Sequence, residues 1–329
     1  MKAVVLFSGG LDSILAVKLI QNQGIDVIAF HFVLPFNYIE DEKQIKAVQT
    51  AHKLNIPIEI FRGGTDYIEI VKNPKHGYGK NMNPCLDCKI FMMKKAHNFM
   101  KEIGASFLVS GEVLGQRPMS QRKKAMELIE KEAEVYGLLL RPLSAKLLPP
   151  TMPEEKEWVK RESFFAFEGK SRKPQIQKAK ELGIKDFPSP AGGCCLADLG
   201  FSIRLSDAFE HNEDSISELQ LLRFGRHFRL KSGTKLIVGR NEKENQIIEK
   251  LAGKNDLLIE GIGFGSPLAL LKNSNNPKDI NTSASICVRY TKKRDEESAK
   301  VSVKTKKGEI TEKEVASLDR EAADSLLIH

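Results

Sequence analysis

Six residues near the start of the chain, Ser8-Gly9-Gly10-Leu11-Asp12-Ser13, combine what an anion-binding turn needs. Glycines let the backbone come close to a phosphate, and the N–H groups at the start of a following helix stabilise its charge. Ser8 and Ser13 add hydroxyl donors. Asp12 is out of place against an anion unless it holds Mg²⁺ or caps the helix. The Gly-Lys-Ser/Thr of a Walker loop is absent. The second chemical set is sulfur: Cys85-Leu-Asp-Cys88, and far downstream Cys194-Cys195 in a Pro-Ala-Gly-Gly-Cys-Cys turn. A Cys-x-x-Cys pair can place two thiolates on one metal. A third sulfur, for which Cys194 is preferred and Cys195 is the alternative, leaves one coordination position open, as in an iron–sulfur cluster or a reactive zinc. Four sulfurs suit a closed structural zinc. A thiol pair next to a helix start suits persulfide or disulfide chemistry. Two ordinary buried thiols are the plain alternative. Cys287 lies in a strand-like stretch, Ile286 to Tyr290, and is expected to be a core thiol.

These groups need elements to hold them. Ala3 to Phe7 is a short apolar strand that delivers the Ser8 loop, and Ile14 to Ile20 reads as the helix after it. Strands at Asp26–His31, Pro57–Phe61, Phe107–Ser110 and Leu138–Leu140 alternate with helices at 43–54, 89–103 and 120–136. In this reading Cys85 and Cys88 precede the 89–103 helix. Continuous apolar strands alternating with helices predict an α/β, doubly wound parallel sheet, which binds ligands at the carboxyl ends of its strands. A second, smaller α+β domain is expected over 201–329, with a hairpin at 227–238, a helix capped by Asn241 with Glu244 as its partner, and strands at 256–260, 268–271, 286–290 and 301–304. The first domain is then 1–200, of which 141–200 is a basic, Pro-punctuated extension with helices near 154–160 and 173–182, ending in the late-cysteine turn.

Composition narrows the class. The chain has 329 residues, 41 % hydrophobic and 29 % charged, which fits a folded soluble protein and argues against bulk disorder. No apolar stretch reaches the roughly 20 residues of a membrane span. The first residues lack a signal-peptide pattern, so a cytoplasmic location is expected. Five cysteines in such a chain do not make a disulfide scaffold. The net charge of +8 is uneven: residues 1–200 hold 29 basic and 23 acidic side chains, against 22 and 20 in residues 201–329. That excess permits nucleic acid as a partner without establishing it. Among the basic residues of the first half, Lys89, Arg117, Arg141 and Arg172 are candidate phosphate or RNA contacts. His31 is more readily a structural histidine than a ligand, and Trp158 a core anchor as readily as a base-stacking platform.

Ser8-Gly-Gly-Leu-Asp-Ser13 resembles the pyrophosphate loop (PP-loop) of the N-type ATP pyrophosphatases. These enzymes cleave ATP between the α and β phosphates and adenylate a substrate oxygen. Gly111-Glu112-Val-Leu-Gly-Gln116, after the strand 107–110, resembles a segment of tRNA 4-thiouridine synthases. The resemblance covers about residues 1–200. It implies ATP and Mg²⁺ at Ser8, Gly9, Gly10, Asp12, Ser13, Gly111, Glu112 and Gln116, with the adenine near Phe30, His31 and Phe32. It also implies a 4Fe–4S cluster on Cys85, Cys88 and Cys194, because several tRNA thiolation enzymes of this class carry that arrangement. The implied activity is ATP-dependent tRNA thiolation to 2- or 4-thiouridine, with tRNA and a sulfur donor (sulfide or a persulfide carrier) as partners. A PP-loop ligase for a small molecule and a non-catalytic Fe–S or RNA-binding module are the rival readings. The sequence shows no sign of the THUMP domain that usually precedes 4-thiouridine synthase catalytic domains, which leaves the modified position open. Residues 222–272, with Phe224-Gly-Arg-His-Phe-Arg-Leu, Gly239-Arg-Asn-x-x-x-Asn245 and Gly265-Ser-Pro, resemble the RNA-binding R domain of NFACT proteins. That implies Arg223, Arg226, Arg229 and Arg240 as phosphate contacts. A packing or homodimerising role is the alternative for this part.

Overall fold

The computed structural model describes residues 1–188 and 193–329, so the turn expected before Cys194 lies in part outside the described residues. The chain divides into two compact units, Met1–Ala197 and Asp198–His329.

The first unit runs β1 (Lys2–Leu6), α1 (Leu11–Gln21), β2 (Asp26–Val33), α2 (Lys46–Lys53), β3 (Ile58–Arg62), α3 (Thr65–Lys72), α4 (Cys85–Glu102), β4 (Phe107–Ser110), α5 (Lys123–Glu132), β5 (Leu139–Leu140), α6 (Met152–Glu155) and α7 (Lys173–Glu181). The strands form one sheet in the order β3-β2-β1-β4-β5, and every pairing is parallel. Strand residues alternate between its faces. Ala3 and Val5 join a core with Leu15, Leu19 and Ala51 from α1 and α2, while Val4 joins Met93, Ala96 and Ile129 from α4 and α5 on the other side. Both faces of β1 are therefore dry, which is why it reads as an unbroken apolar run. The sheet is the doubly wound α/β type. Its order reverses at β1, so the loops leaving β1 and β4 face each other at the carboxyl end, where such sheets take ligands.

The second unit runs α8 (Leu199–Glu210), α9 (Ile216–Leu221), β6 (Arg226–Arg229), β7 (Lys235–Val238), α10 (Glu242–Leu251), β8 (Leu257–Gly261), β9 (Ala269–Leu271), α11 (Pro277–Arg289), β10 (Ala299–Thr305), β11 (Ile310–Val315) and α12 (Arg320–Asp324). Its antiparallel sheet has the order β11-β10-β8-β9-β7-β6. Among the described residues no helix is long and apolar enough to cross a membrane.

Three local expectations are corrected. Ile286–Tyr290 is not a strand: 286–289 is the end of α11. Asn276 caps that helix by accepting from the Lys278 N–H, and Pro277 opens it, so a start signal ten residues upstream outweighs the short alternation. Cys85 and Cys88 do not precede a helix but form the first turn of α4, with the Cys88 N–H donating to the Pro84 carbonyl at 2.8 Å. The helix expected over 120–136 spans only 123–132. Cys287 is a buried core thiol, now on a helix.

Candidate functional site

Leu11, Asp12 and Ser13 are the first turn of α1, directly beyond the Ser8-Gly9-Gly10 turn. Their N–H groups have no intrahelical acceptor and point toward the carboxyl end of β1. Gly9 has φ +73°, and a Cβ there would lie 2.8 Å from the Cα of Ala47. Glycine is thus required both for conformation and for the approach of α2. Ser13 Oγ donates to the Gly10 carbonyl at 2.8 Å and lies 3.4 Å from Ser8 Oγ, so the two hydroxyls stand on the same side of the turn.

The loop after β4 closes the site from the facing side. Gly111 packs on the backbone of Asp12 and Ser13. Gln116 donates from Nε2 to Asp12 Oδ2 at 3.1 Å, and Arg172 reaches Asp12 Oδ1 at 4.0 Å. Asp12 Oδ1, Gln116 Oε1 and Arg172 Nε are buried without a hydrogen-bond partner. Burial raises the Asp12 carboxyl, against the Gln116 hydrogen bond and the charges of Arg172 and Arg117. Arg172 was expected among phosphate or RNA contacts, and the structure sets it against Asp12. The extension that carries it is tied back onto the β4 loop: the Gly169 N–H donates to the Leu114 carbonyl at 2.8 Å, and Ser144 Oγ accepts from the Leu114 N–H and donates to the Phe167 carbonyl.

Glu112 is buried. Lys89 of α4 lies 3.0 Å from its Oε1, and Arg141 Nε donates to its Oε2 at 3.1 Å. Burial alone would raise this carboxyl, but the two cations overcome that and bring it to about 2. Arg141 also pairs with Glu130 of α5 and is only 3 % exposed. Arg141 is therefore corrected from an RNA contact to the centre of a buried ion network, and Lys89 is committed to Glu112. Phe30, expected near adenine, buries its ring between Phe61 and Phe99, leaving only its backbone to face a ligand. Phe32 is half-buried against Phe61, Tyr67 and Phe91. His31 Nδ1 sits 2.8 Å from the Phe7 carbonyl, a structural contact, and burial lowers its pKa against that hydrogen bond. Trp158 packs on Phe107 and serves as a core anchor.

The cysteines stand beside this region. Cys88 accepts a hydrogen bond from Tyr67 Oη at 3.1 Å. Burial pushes the Cys88 thiol up to about 11, against that hydrogen bond and the charge of Lys89, while Cys194 and Cys85 act on it as further negative neighbours. Cys194 is brought down to about 6 by a hydrogen bond with Cys195, aided by the Leu196 N–H and by Arg117. Asn81, just before α4, donates to the Ala197 carbonyl at 2.8 Å and holds the late-cysteine segment in place. Arg117 thus acts electrostatically on both Asp12 and Cys194. None of the five cysteines is in a disulfide. Among the described residues no three His, Cys, Asp or Glu side chains stand close enough to hold one metal ion. Tyr67 was missed in the sequence, where only its place after Gly63-Gly64 marked it.

In the second unit the motif residues mostly hold the scaffold. Asn241 caps α10 by accepting from the Glu244 N–H, and Glu244 accepts from the N–H groups of Gly225 and Arg240. Asn245 Oδ1 accepts from the Leu268 N–H, and a Cβ on Gly239 would lie 2.0 Å from that same oxygen. Arg229, expected as a phosphate contact, is instead bound to Asp207 and Glu213. Arg226 lies 4.4 Å over the Tyr290 ring, and Arg240 pairs with Glu244. These two arginines, with Asn241, Asn245, Ser266 and Tyr290, line a groove of about 650 Å³. Arg223 is exposed.

Residues 1–146 match the family model described as Thiamine biosynthesis protein (ThiI), and residues 225–326 match the model described as NFACT protein RNA binding domain. Both resemblances carried by the motifs therefore have matching family models. The chain is 29 % identical over 146 residues to a "Probable tRNA sulfurtransferase" of Thermococcus kodakarensis, covering 43 % of this chain and 36 % of that protein. It is 33 % identical over 116 residues to a tRNA-specific 2-thiouridylase of Campylobacter jejuni, covering 34 % of each. The chain thus spans about a third of the length of these relatives. A solved 4-thiouridine synthetase–RNA complex with bound ATP aligns at a TM-score of 0.40 and 22 % identity, over 56 % of this chain and 41 % of that one.

Proposed function

We propose that the chain is an ATP-dependent tRNA sulfurtransferase whose first unit activates a uridine carbonyl oxygen and replaces it with sulfur, giving 2- or 4-thiouridine. The observation that carries this reading is the loop after β4, which reaches the phosphate-loop carboxylate Asp12 through Gln116 at 3.1 Å and the cysteine-bearing α4 through Glu112, 3.0 Å from Lys89. A nucleotide turn and a sulfur centre held against one loop suit a reaction that needs both at one carbon atom.

The chemistry balances in two displacements. The uridine oxygen attacks the α-phosphorus of ATP. A new P–O bond forms, the bond to the β-phosphate oxygen breaks, and pyrophosphate leaves with the electron pair. Sulfide then attacks the activated ring carbon; a C–S bond forms, the C–O bond breaks, AMP departs with the former carbonyl oxygen, and the sulfur's proton goes to solvent. Adenylation is needed because oxide is not a workable leaving group.

Ser8, Ser13 and the N–H groups at the start of α1 cradle the leaving pyrophosphate, where donors and dipole meet developing negative charge. Arg172 and Arg117 add positive charge on the same side. Asp12, with one buried oxygen lacking a hydrogen-bond partner, fits Mg²⁺, which when bound would neutralise phosphate charge. Cys85, Cys88 and Cys194, with Cys195 as the alternative, would hold a 4Fe–4S cluster, which when bound supplies an open iron position for sulfur chemistry. Three cysteine donors suit a cluster, where they leave one iron without a protein ligand, whereas a closed structural zinc takes four sulfurs. The second unit adds RNA contacts through Arg226 and Arg240.

The test is AMP and pyrophosphate release with and without tRNA, followed by mass spectrometry of the tRNA nucleosides. Release that depends on tRNA, together with a thiouridine product, is expected. Full turnover without RNA would instead identify a ligase for a small molecule. Asp12→Ala is expected to abolish release while leaving a folded protein.

A further inference from the structure

Tyr67 is fully buried, and its ring is boxed by Phe32, Phe36 and Phe91, with centroids 5.3, 6.4 and 5.4 Å away. Three aromatic walls fix the ring, so the direction of its hydroxyl is fixed too. A buried tyrosine hydroxyl needs an acceptor. Here the acceptor is a sulfur, Cys88 Sγ at 3.1 Å, on the first turn of α4. A neutral thiol is a weak acceptor, whereas a sulfur carrying negative charge is a strong one. The arrangement is therefore a poor use of a buried hydroxyl around an inert thiol, and a good one around a thiolate or a metal-bound sulfur. Lys89, the next residue along α4, adds a positive charge in the same turn, its ammonium 3.0 Å from Glu112 Oε1. As a thiol, Cys88 donates to Met92 Sδ at 3.8 Å, one helical turn along α4.

We propose that Tyr67 is a positioning residue for the sulfur centre: its Oη–H···Sγ bond aims Cys88 and stabilises negative charge on that sulfur when it serves as a ligand. This rests on the reading of Cys85, Cys88 and Cys194 as cluster ligands. Hydrogen bonds to ligating sulfurs stabilise the more negative, reduced state of a cluster and so raise its potential. Tyr67→Phe keeps the ring and its aromatic contacts and removes only the donor.

The experiment uses the full chain, reconstituted anaerobically with iron and sulfide. Iron per chain and melting temperature are measured beside the reduction potential and the electron paramagnetic resonance spectrum of the reduced state. Wild-type protein is expected to bind iron. Tyr67→Phe is expected to bind the same amount, with a more negative potential and shifted g values. A second variant guards against a folding defect: 3-fluorotyrosine at position 67 keeps the shape, makes the hydroxyl a stronger donor, and should move the potential the other way. Iron-loaded variants with the wild-type potential and spectrum would overturn the role of Tyr67 while leaving the cluster in place. A wild-type chain without iron would overturn the cluster reading and this assignment with it.

Discussion

At Gly111 an added Cβ would lie 2.5 Å from the Asp12 carbonyl oxygen and 2.7 Å from the Ser13 amide nitrogen. Both are backbone atoms at the start of α1, and they cannot yield without moving the Asp12 carboxylate and the N–H groups beside it. Gly111→Ala should therefore cost about 1–3 kcal/mol of stability, as overpacking does. It should also lower AMP formation by more than the lost folded fraction explains. Calorimetry and single-turnover AMP formation on one preparation check this; unchanged turnover would mean that the two loops need not touch. The hexapeptide at 8–13 was legible in the sequence because Gly, Ser and Asp carry their mechanism locally: conformational freedom, hydroxyl donors and a charge out of place. The partners of Asp12 were not legible as partners. Gln116 and Arg172 reach it from a loop and an extension distant in the chain, and a pairing between distant side chains leaves no periodic trace. For the same reason Arg141 read as a candidate phosphate or RNA contact, although its charge is met by the carboxylates of Glu112 and Glu130.

Glu112 joins three elements at one carboxylate, through Lys89 on α4 and through Arg141, which follows β5 and in turn holds Glu130 on α5. The β4 loop that brings Gln116 to Asp12 is fixed through this network. Glu112→Gln keeps the size but leaves two buried cations without their counter-charge, and breaking a buried pair in this way costs about 3–5 kcal/mol. The sign of the pH effect follows from the same residue. Its folded value of about 2 lies below the ordinary 4.5. Its stabilising contribution is therefore present above pH 4.5 and is lost as the pH falls toward 2. Denaturant unfolding of wild type and Glu112→Gln should show a stability gap that narrows over that interval; a gap independent of pH would remove Glu112 as its source. Elements were more legible than such networks. β1, β4 and β5 show as apolar runs because both faces of the sheet are covered there. The end of α11 did not show, because Ile286-Cys-Val-Arg-Tyr fits either period over five residues and only the cap at Asn276 decides between them.

Each unit closes its own core. In the second, Phe228, Leu236, Ile259, Leu271, Ala284 and Val301 form a cluster whose members among the described residues all lie within 228–327. A fragment spanning 198–329 should accordingly melt cooperatively on its own, which circular dichroism can establish. On the proposed function, charge gives the two units different tasks toward RNA. The larger basic excess belongs to residues 1–200, while residues 201–329 are nearly balanced. Much of the second unit's charge is moreover spent internally, as in the pairing of Arg229 with Asp207 and Glu213. Its RNA contribution should then come from a few positions, Arg226 and Arg240 at the Tyr290 groove, rather than from a broad field. Two linked binding surfaces raise affinity through effective concentration without any new contact. Deleting 198–329 should therefore weaken tRNA binding at least about tenfold and leave ATP binding intact. Arg226→Ala with Arg240→Ala in the full chain should reproduce most of that loss and reduce the slope of log affinity against log salt by roughly one per phosphate contact removed. Fluorescence titrations across a salt series measure both quantities. An unchanged slope in the double variant would assign RNA binding to the first unit alone and leave the groove with a packing role.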